Sequence, residues 1–169
     1  MKKTGYWVTL AGLLLIVGCA SGVRRVTPYD EALRQVHQRR GNLGWDGLEV
    51  GMTFSEVERA LGQRLGIPQG PGPLCDRYTS RVQVLDQALR LSFTGATQSA
   101  RLAAITVLLP LGFDTTGLVD ALEARLGTLT PVPSPQTPNP TKPLYQTSDG
   151  GRVFINPEEG ISLGDVCVD

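Results

Sequence analysis

Apolar positions follow three different rhythms along this chain. Residues 6–17 form a nearly continuous apolar run of about a dozen residues behind Lys2 and Lys3, short of the ~20 a membrane-crossing helix needs. Around residues 53–65 the period becomes helical, with Phe54, Val57, Leu61 and Leu65 along one face. Thr53-x-x-Glu56 reads as a capping box that satisfies the first free amides, and Gly66 is placed to end the helix. From residue 81 the period shortens to two: Arg81-Val82-Gln83-Val84, Leu89-Arg90-Leu91-Ser92-Phe93 and Ile105-Thr106-Val107-Leu108-Leu109 alternate as strands do. The same alternation returns over residues 144–147, 152–155 and 161–168, with turns at Asp149-Gly150-Gly151 and at residues 156–160.

The helical segment also recurs 61 residues later. Setting VGMTFSEVERALGQRLG (50–66) above LGFDTTGLVDALEARLG (111–127) aligns six identical positions in seventeen, including the flanking glycines Gly51/Gly112 and Gly66/Gly127. Asp114 or Thr115 is expected to cap the second helix, which lacks the capping-box glutamate. The predicted fold is therefore α+β: two related units, each a helix on about three antiparallel strands, preceded by a signal peptide and a short N-terminal helix. Its boundaries are a signal peptide at 1–18, a tether and N-terminal helix at 19–44, a first unit at 45–110 and a second at 111–169.

Thr27-Pro28-Tyr29-Asp30 has the composition of a helix start, and a helix to about Arg40 ending at Gly41 is predicted, with Tyr29, Leu33 and Val36 on a thin apolar face. His37, the sole histidine, is expected to face solvent there, and residues 41–44 to form a loop. Six prolines in residues 131–143 favour an extended polyproline segment, either a projecting or edge-covering loop or a partner-binding one.

Charge narrows the function classes. The chain carries 16 basic and 16 acidic residues; removing residues 1–18 deletes Lys2 and Lys3 and no acid, leaving 14 against 16. That near-neutrality argues against nucleic acid as a partner, since displacing counterions from phosphate requires a basic surface. Arg24, Arg25, Arg34, Arg39 and Arg40 cluster early, either as a juxtamembrane patch attracted to anionic lipid or as a solvated helix face. No Gly-x-Ser-x-Gly, His-Glu-x-x-His, phosphate loop or Cys/His metal spacing occurs, and the adjacent Glu158-Glu159 sits in a predicted turn. The expectation is a non-enzyme with no cofactor, no metal and no evident small-molecule substrate.

The junction Ile16-Val17-Gly18-Cys19 resembles the lipobox of bacterial lipoproteins. The resemblance implies diacylglycerol on Cys19, cleavage before it and acylation of the new amino terminus; an ordinary secretory signal with a late cysteine would share the charge and run length. Cys75 and Cys167 then remain, and an even pair beyond the inner membrane is expected to oxidise. A bond closing a loop of roughly 90 residues would contribute on the order of 4 kcal/mol and staple the two units. Ala20 after the cysteine resembles the outer-membrane sorting preference of enterobacterial lipoproteins.

Gly51-Met52-Thr53-x-x-x-Val57-x-x-x-Leu61-Gly62 resembles the helix signature of the BamE/SmpA lipoproteins, small outer-membrane lipoproteins that assist barrel assembly, with helices on a three-stranded sheet. The likeness covers residues 19 to about 109. This chain has Arg64 where that family usually carries proline, and its second unit is not part of a minimal member. The doubled unit is more similar to the β-lactamase-inhibitor-like fold, whose two helix-plus-sheet repeats form a concave binding surface. The resulting expectation is a lipid-anchored, periplasm-facing outer-membrane protein acting through contact with an envelope protein, an accessory to outer-membrane or envelope assembly. The alternative is an inhibitor or sequestering module for a secreted hydrolase.

Overall fold

A computed structural model describes residues 29–66, 68–70, 76–133 and 142–165 of the chain. These form an α+β structure with a three-stranded sheet, a seven-stranded antiparallel sheet and three helices.

The N-terminal region departs from the helix predicted to reach Arg40. Helix α1 covers only Asp30–Arg34, and the chain passes at once into β1 (Val36–Arg39), β2 (Asn42–Trp45) and β3 (Leu48–Glu49). Residues 41–44, read as a loop, instead supply half a turn and most of β2. The physical cause is tertiary. The Trp45 indole donates to the Ala32 carbonyl at 2.8 Å, occupying the acceptor that a continuing helix would offer to the Val36 amide. Both hairpin turns have two residues at positive φ, Arg40-Gly41 (52° and 82°) and Asp46-Gly47 (43° and 83°), which matches the right-handed twist of the flanking strands. His37 is in β1 rather than on a helix, with Nδ1 3.0 Å from the Gln35 carbonyl. Its ring lies over Gly44, where a Cβ would come within 2.5 Å of His37 Nε2 and 2.4 Å of the Leu48 carbonyl oxygen, so only glycine fits.

Helix α2 (Phe54–Leu61) begins at the predicted capping box: Thr53 Oγ1 accepts from the Glu56 amide, and the Glu56 carboxylate accepts from the Thr53 amide at 2.7 Å. It stops at Gly62, in the left-handed conformation, one turn before the predicted Gly66. Its apolar side is buried through Phe54, whose ring centroid stands 5.0 Å from that of Phe93, and Val57. Helix α3 (Leu118–Leu126) ends at Gly127 as predicted but starts at Gly117 with no side-chain cap, because the Asp114 carboxylate accepts from the Thr116 amide (2.8 Å). It packs on β1 and α1 rather than where α2 packs, burying Leu118, Leu122 and Leu126.

The large sheet comprises β4 (Tyr78–Val84), β5 (Gln87–Phe93), β6 (Leu102–Leu108), β7 (Leu129–Val132), β8 (Leu144–Thr147), β9 (Arg152–Asn156) and β10 (Gly160–Gly164). Six of these strands were legible as alternation. β7 was not, because half of it is Pro131-Val132, at the start of the proline-rich segment. The strand order β4-β5-β6-β10-β9-β8-β7 joins two consecutive runs of strands through their last members, β6 and β10. One face carries Leu89 and Leu91, Ile105 and Val107, Ile161 and Leu163, and Val153 and Ile155 into a single apolar cluster with the three helices and the small sheet. Burying such side chains contributes roughly 1.5–3 kcal/mol each, the main force holding the layers together. Gln38 Nε2 donates to Thr147 Oγ1 at 3.1 Å, fastening the small sheet to the large one.

Candidate contact surface

On the opposite face, strand register aligns one residue from each of the seven strands: Arg81, Arg90, Thr106, Ser162, Phe154, Leu144 and Val132. The row runs from cationic through hydroxyl to apolar. Its two ends differ in access. Phe154 and Leu144 are buried, with Val132 packed against them, whereas Arg81 is exposed and Arg90 half-buried.

Arg81 and Arg90 face each other directly across β4 and β5, an arrangement of like charges that is unfavourable unless one is neutralised. Glu159, in the turn before β10, does this: both guanidinium nitrogens Nη1 and Nη2 of Arg90 donate to its carboxylate, the second at 2.9 Å. Such two-pronged pairs fix geometry as well as charge. The adjacent Glu158 turns away to Lys142 Nζ at 2.7 Å, so the predicted carboxylate pair is split between two partners. Arg77 likewise crosses the sheet to Asp165. No spacing in the sequence marks these pairs; only the register brings them together.

The edges of the large sheet are unequal. At β7, the outward amide of Leu129 is held by Glu123 Oε1 at 2.9 Å, and Pro131, the next outward residue, has no N–H to offer. At β4, Thr79 exchanges both backbone bonds with Gln69 (2.9 and 3.1 Å). Alternation then directs the backbone groups of Arg81 and Gln83 outward as well, and neither has a bridging partner among the described residues. Beside this stretch of β4 lies a groove of about 650 Å³ lined by Gly66, Gln69, Thr79, Ser80, Arg81 and Arg90. Ser80 Oγ and Arg90 Nε are buried there without a hydrogen-bond partner among the described residues.

The residues that carry the BamE/SmpA resemblance have local structural work. The Gly51 amide donates to Leu102 (2.7 Å), Met52 accepts from the Leu102 amide (2.7 Å) and the Phe54 amide donates to Ala100 (2.8 Å), zipping the approach to α2 onto the start of β6. Hydrogen bonds from the Thr53 amide and then its hydroxyl, with the Arg59 and Arg101 charges nearby, lower the Glu56 carboxyl below its ordinary range. The Thr116 hydroxyl and amide do the same for Asp114. Of the early arginines, Arg34 pairs with Glu31 (3.0 Å) and Arg39 with Glu49 (3.9 Å).

Cys19, Cys75 and Cys167 lie outside the described residues, as do the apolar run at 6–17, Arg24, Arg25 and residues 134–141. Among the described residues no group of three or more His, Cys, Asp or Glu could hold a metal ion, and no helix is long and apolar enough to cross a membrane. No protein-family model, no curated protein and no solved structure matches this chain.

Proposed function

We propose that this chain is a lipid-anchored cell-envelope protein, held in the outer membrane through Cys19 and facing the periplasm, that acts by protein–protein contact as an accessory to outer-membrane or envelope assembly. The observation that carries the contact role is the outward stretch of β4 at Arg81 and Gln83, which has no bridging partner among the described residues. A sheet whose other edge is closed by a proline and a glutamate leaves Arg81 and Gln83 as the place where an extended segment can add as a further strand. The lipid attachment rests on the residues from Lys2 to Cys19. In this reading the segments 50–66 and 111–127 open two related units, and a Cys75–Cys167 bond joins them.

A photo-crosslinking residue at Gln83 in intact cells, with a second at Asp149 in the turn between β8 and β9 as control, tests the proposal. Crosslinking from position 83 alone to membrane barrels or their assembly components is the expected result. No product from position 83 above that from 149 would overturn it.

The second reading, an inhibitor of a secreted hydrolase, draws support from the continuity of the seven strands through both halves, which offers one broad surface. It predicts a soluble enzyme as the crosslinked species and loss of that enzyme's activity on mixing.

A further inference from the structure

The two large apolar side chains most exposed among the described residues are Leu111 (81%) and Leu85 (65%). Both stand at the same end of the large sheet. Leu85 is the first residue of the two-residue turn joining β4 to β5. Leu111 follows β6, whose Leu108 carbonyl accepts from the Gln87 side chain at 2.6 Å across that end.

Each leucine is held outward by its backbone. Leu85 adopts φ 47° and Asp86 φ 62°, a conformation costly for a leucine, which β-turn statistics reserve for Gly, Asn and Asp. Leu111 is the second residue of a turn closed by the Phe113 amide on the Pro110 carbonyl (3.1 Å), with Gly112 at φ 72° in third place, as a type II turn requires. A strained leucine and a turn-tip leucine on one rim place apolar surface where a soluble domain ordinarily places polar residues.

The start of the described chain lies at this rim. The Tyr29 ring meets Phe113 edge-on, with centroids 5.3 Å apart, two residues from Leu111. Tyr29 follows Cys19 by ten residues, a span of ~35 Å at most when fully extended. Building on the lipid attachment proposed above, we infer that the Leu85–Leu111 rim rests on the bilayer that holds the anchor, both leucines entering its interface. Acyl chains and a small apolar patch act together in such docking, each reinforcing the other's residence. Asp86 and Asp114 share this end and Lys142 is paired to Glu158, so the contact is apolar rather than one drawn by anionic headgroups. With this rim on the membrane, the β8–β9 turn points away from it.

The test uses the full lipidated chain purified from membranes and reconstituted into phosphatidylcholine vesicles carrying brominated acyl chains. Intact mass first establishes acylation of Cys19. Leu111→Trp, Leu85→Trp and, at the far end of the sheet, Asp149→Trp are then compared, buried Trp45 being a constant background. The expected result is a blue-shifted emission strongly quenched by bromine at 111 and 85, unquenched at 149, and unchanged by added salt. An acylated, vesicle-bound protein in which 111 and 85 are quenched no more than 149 would overturn the rim contact while leaving the anchor intact. An unacylated Cys19 would overturn the anchor and this inference with it.

Discussion

Thr106 and Ser162, 56 positions apart in sequence, face each other where β6 meets β10, their hydroxyls 2.9 Å apart and buried at the seam of the large sheet. Either oxygen can be the donor, so the pair satisfies itself without water. Thr106→Val alone strands the serine hydroxyl and costs about 1–3 kcal/mol; the double variant with Ser162→Ala lies closer to wild type than the sum of the singles. Urea unfolding of the four proteins measures this coupling, and additive losses would show that the hydroxyls do not depend on one another.

Trp45 ends helix α1 by taking the Ala32 carbonyl, and it is one of the largest buried side chains. Trp45→Phe keeps most of the volume but frees that carbonyl, at about 1–3 kcal/mol. Trp45→Ala adds a cavity, for a total of about 3–5 kcal/mol. Hydrogen exchange along residues 30–39 should speed up in both variants before the large sheet is affected.

Glu56 gives acid sensitivity of a definite sign. Its carboxyl titrates lower in the folded chain than in the unfolded one, because the Thr53 amide and hydroxyl favour the charged form. The stabilisation is present above the unfolded pKa, near 4.5, and is lost as pH falls through the lower folded value. The stability of Glu56→Gln should therefore fall less steeply than wild type below that pH, as thermal melts at a series of acid pH values will show. Parallel curves would remove Glu56 from the account.

Arg81→Pro should leave the fold almost intact, since the residue's N–H points away from β5 and Pro131 already occupies the corresponding kind of position in β7. The circular dichroism spectrum should be unchanged, whereas crosslinking from position 83 should disappear. Retained crosslinking would place the partner somewhere other than along this edge of β4.

The sequence revealed α2 and six strands of the large sheet because their core-facing apolar residues recur at the period of the element. In β6 and β10 the opposite face is buried too, but carries Thr106 and Ser162, so the alternation survives. It did not reveal the small sheet. Asp46-Gly47 between Trp45 and Leu48 is a hairpin signal, but the helix-like start at residue 27 masked it, and only Trp45 packing decides against a longer helix. β7 was hidden by its proline. The row from Arg81 to Val132 and the Arg90–Glu159 and Arg77–Asp165 bridges depend on strand order, which the alternation of single strands does not encode. Of the candidate surface, the residues were visible and their adjacency was not.

The pairing of β6 with β10 also sets a schedule for folding. Residues 102–108 are mostly apolar and nearly all buried, yet their second neighbour in the sheet is residues 160–164, more than fifty positions further along. Until β10 is in place, one long edge of β6 is a bare template for any passing strand. A chain synthesised from its amino terminus exposes that edge until β10 is made, so β6 is where stray strand pairing competes most directly with folding.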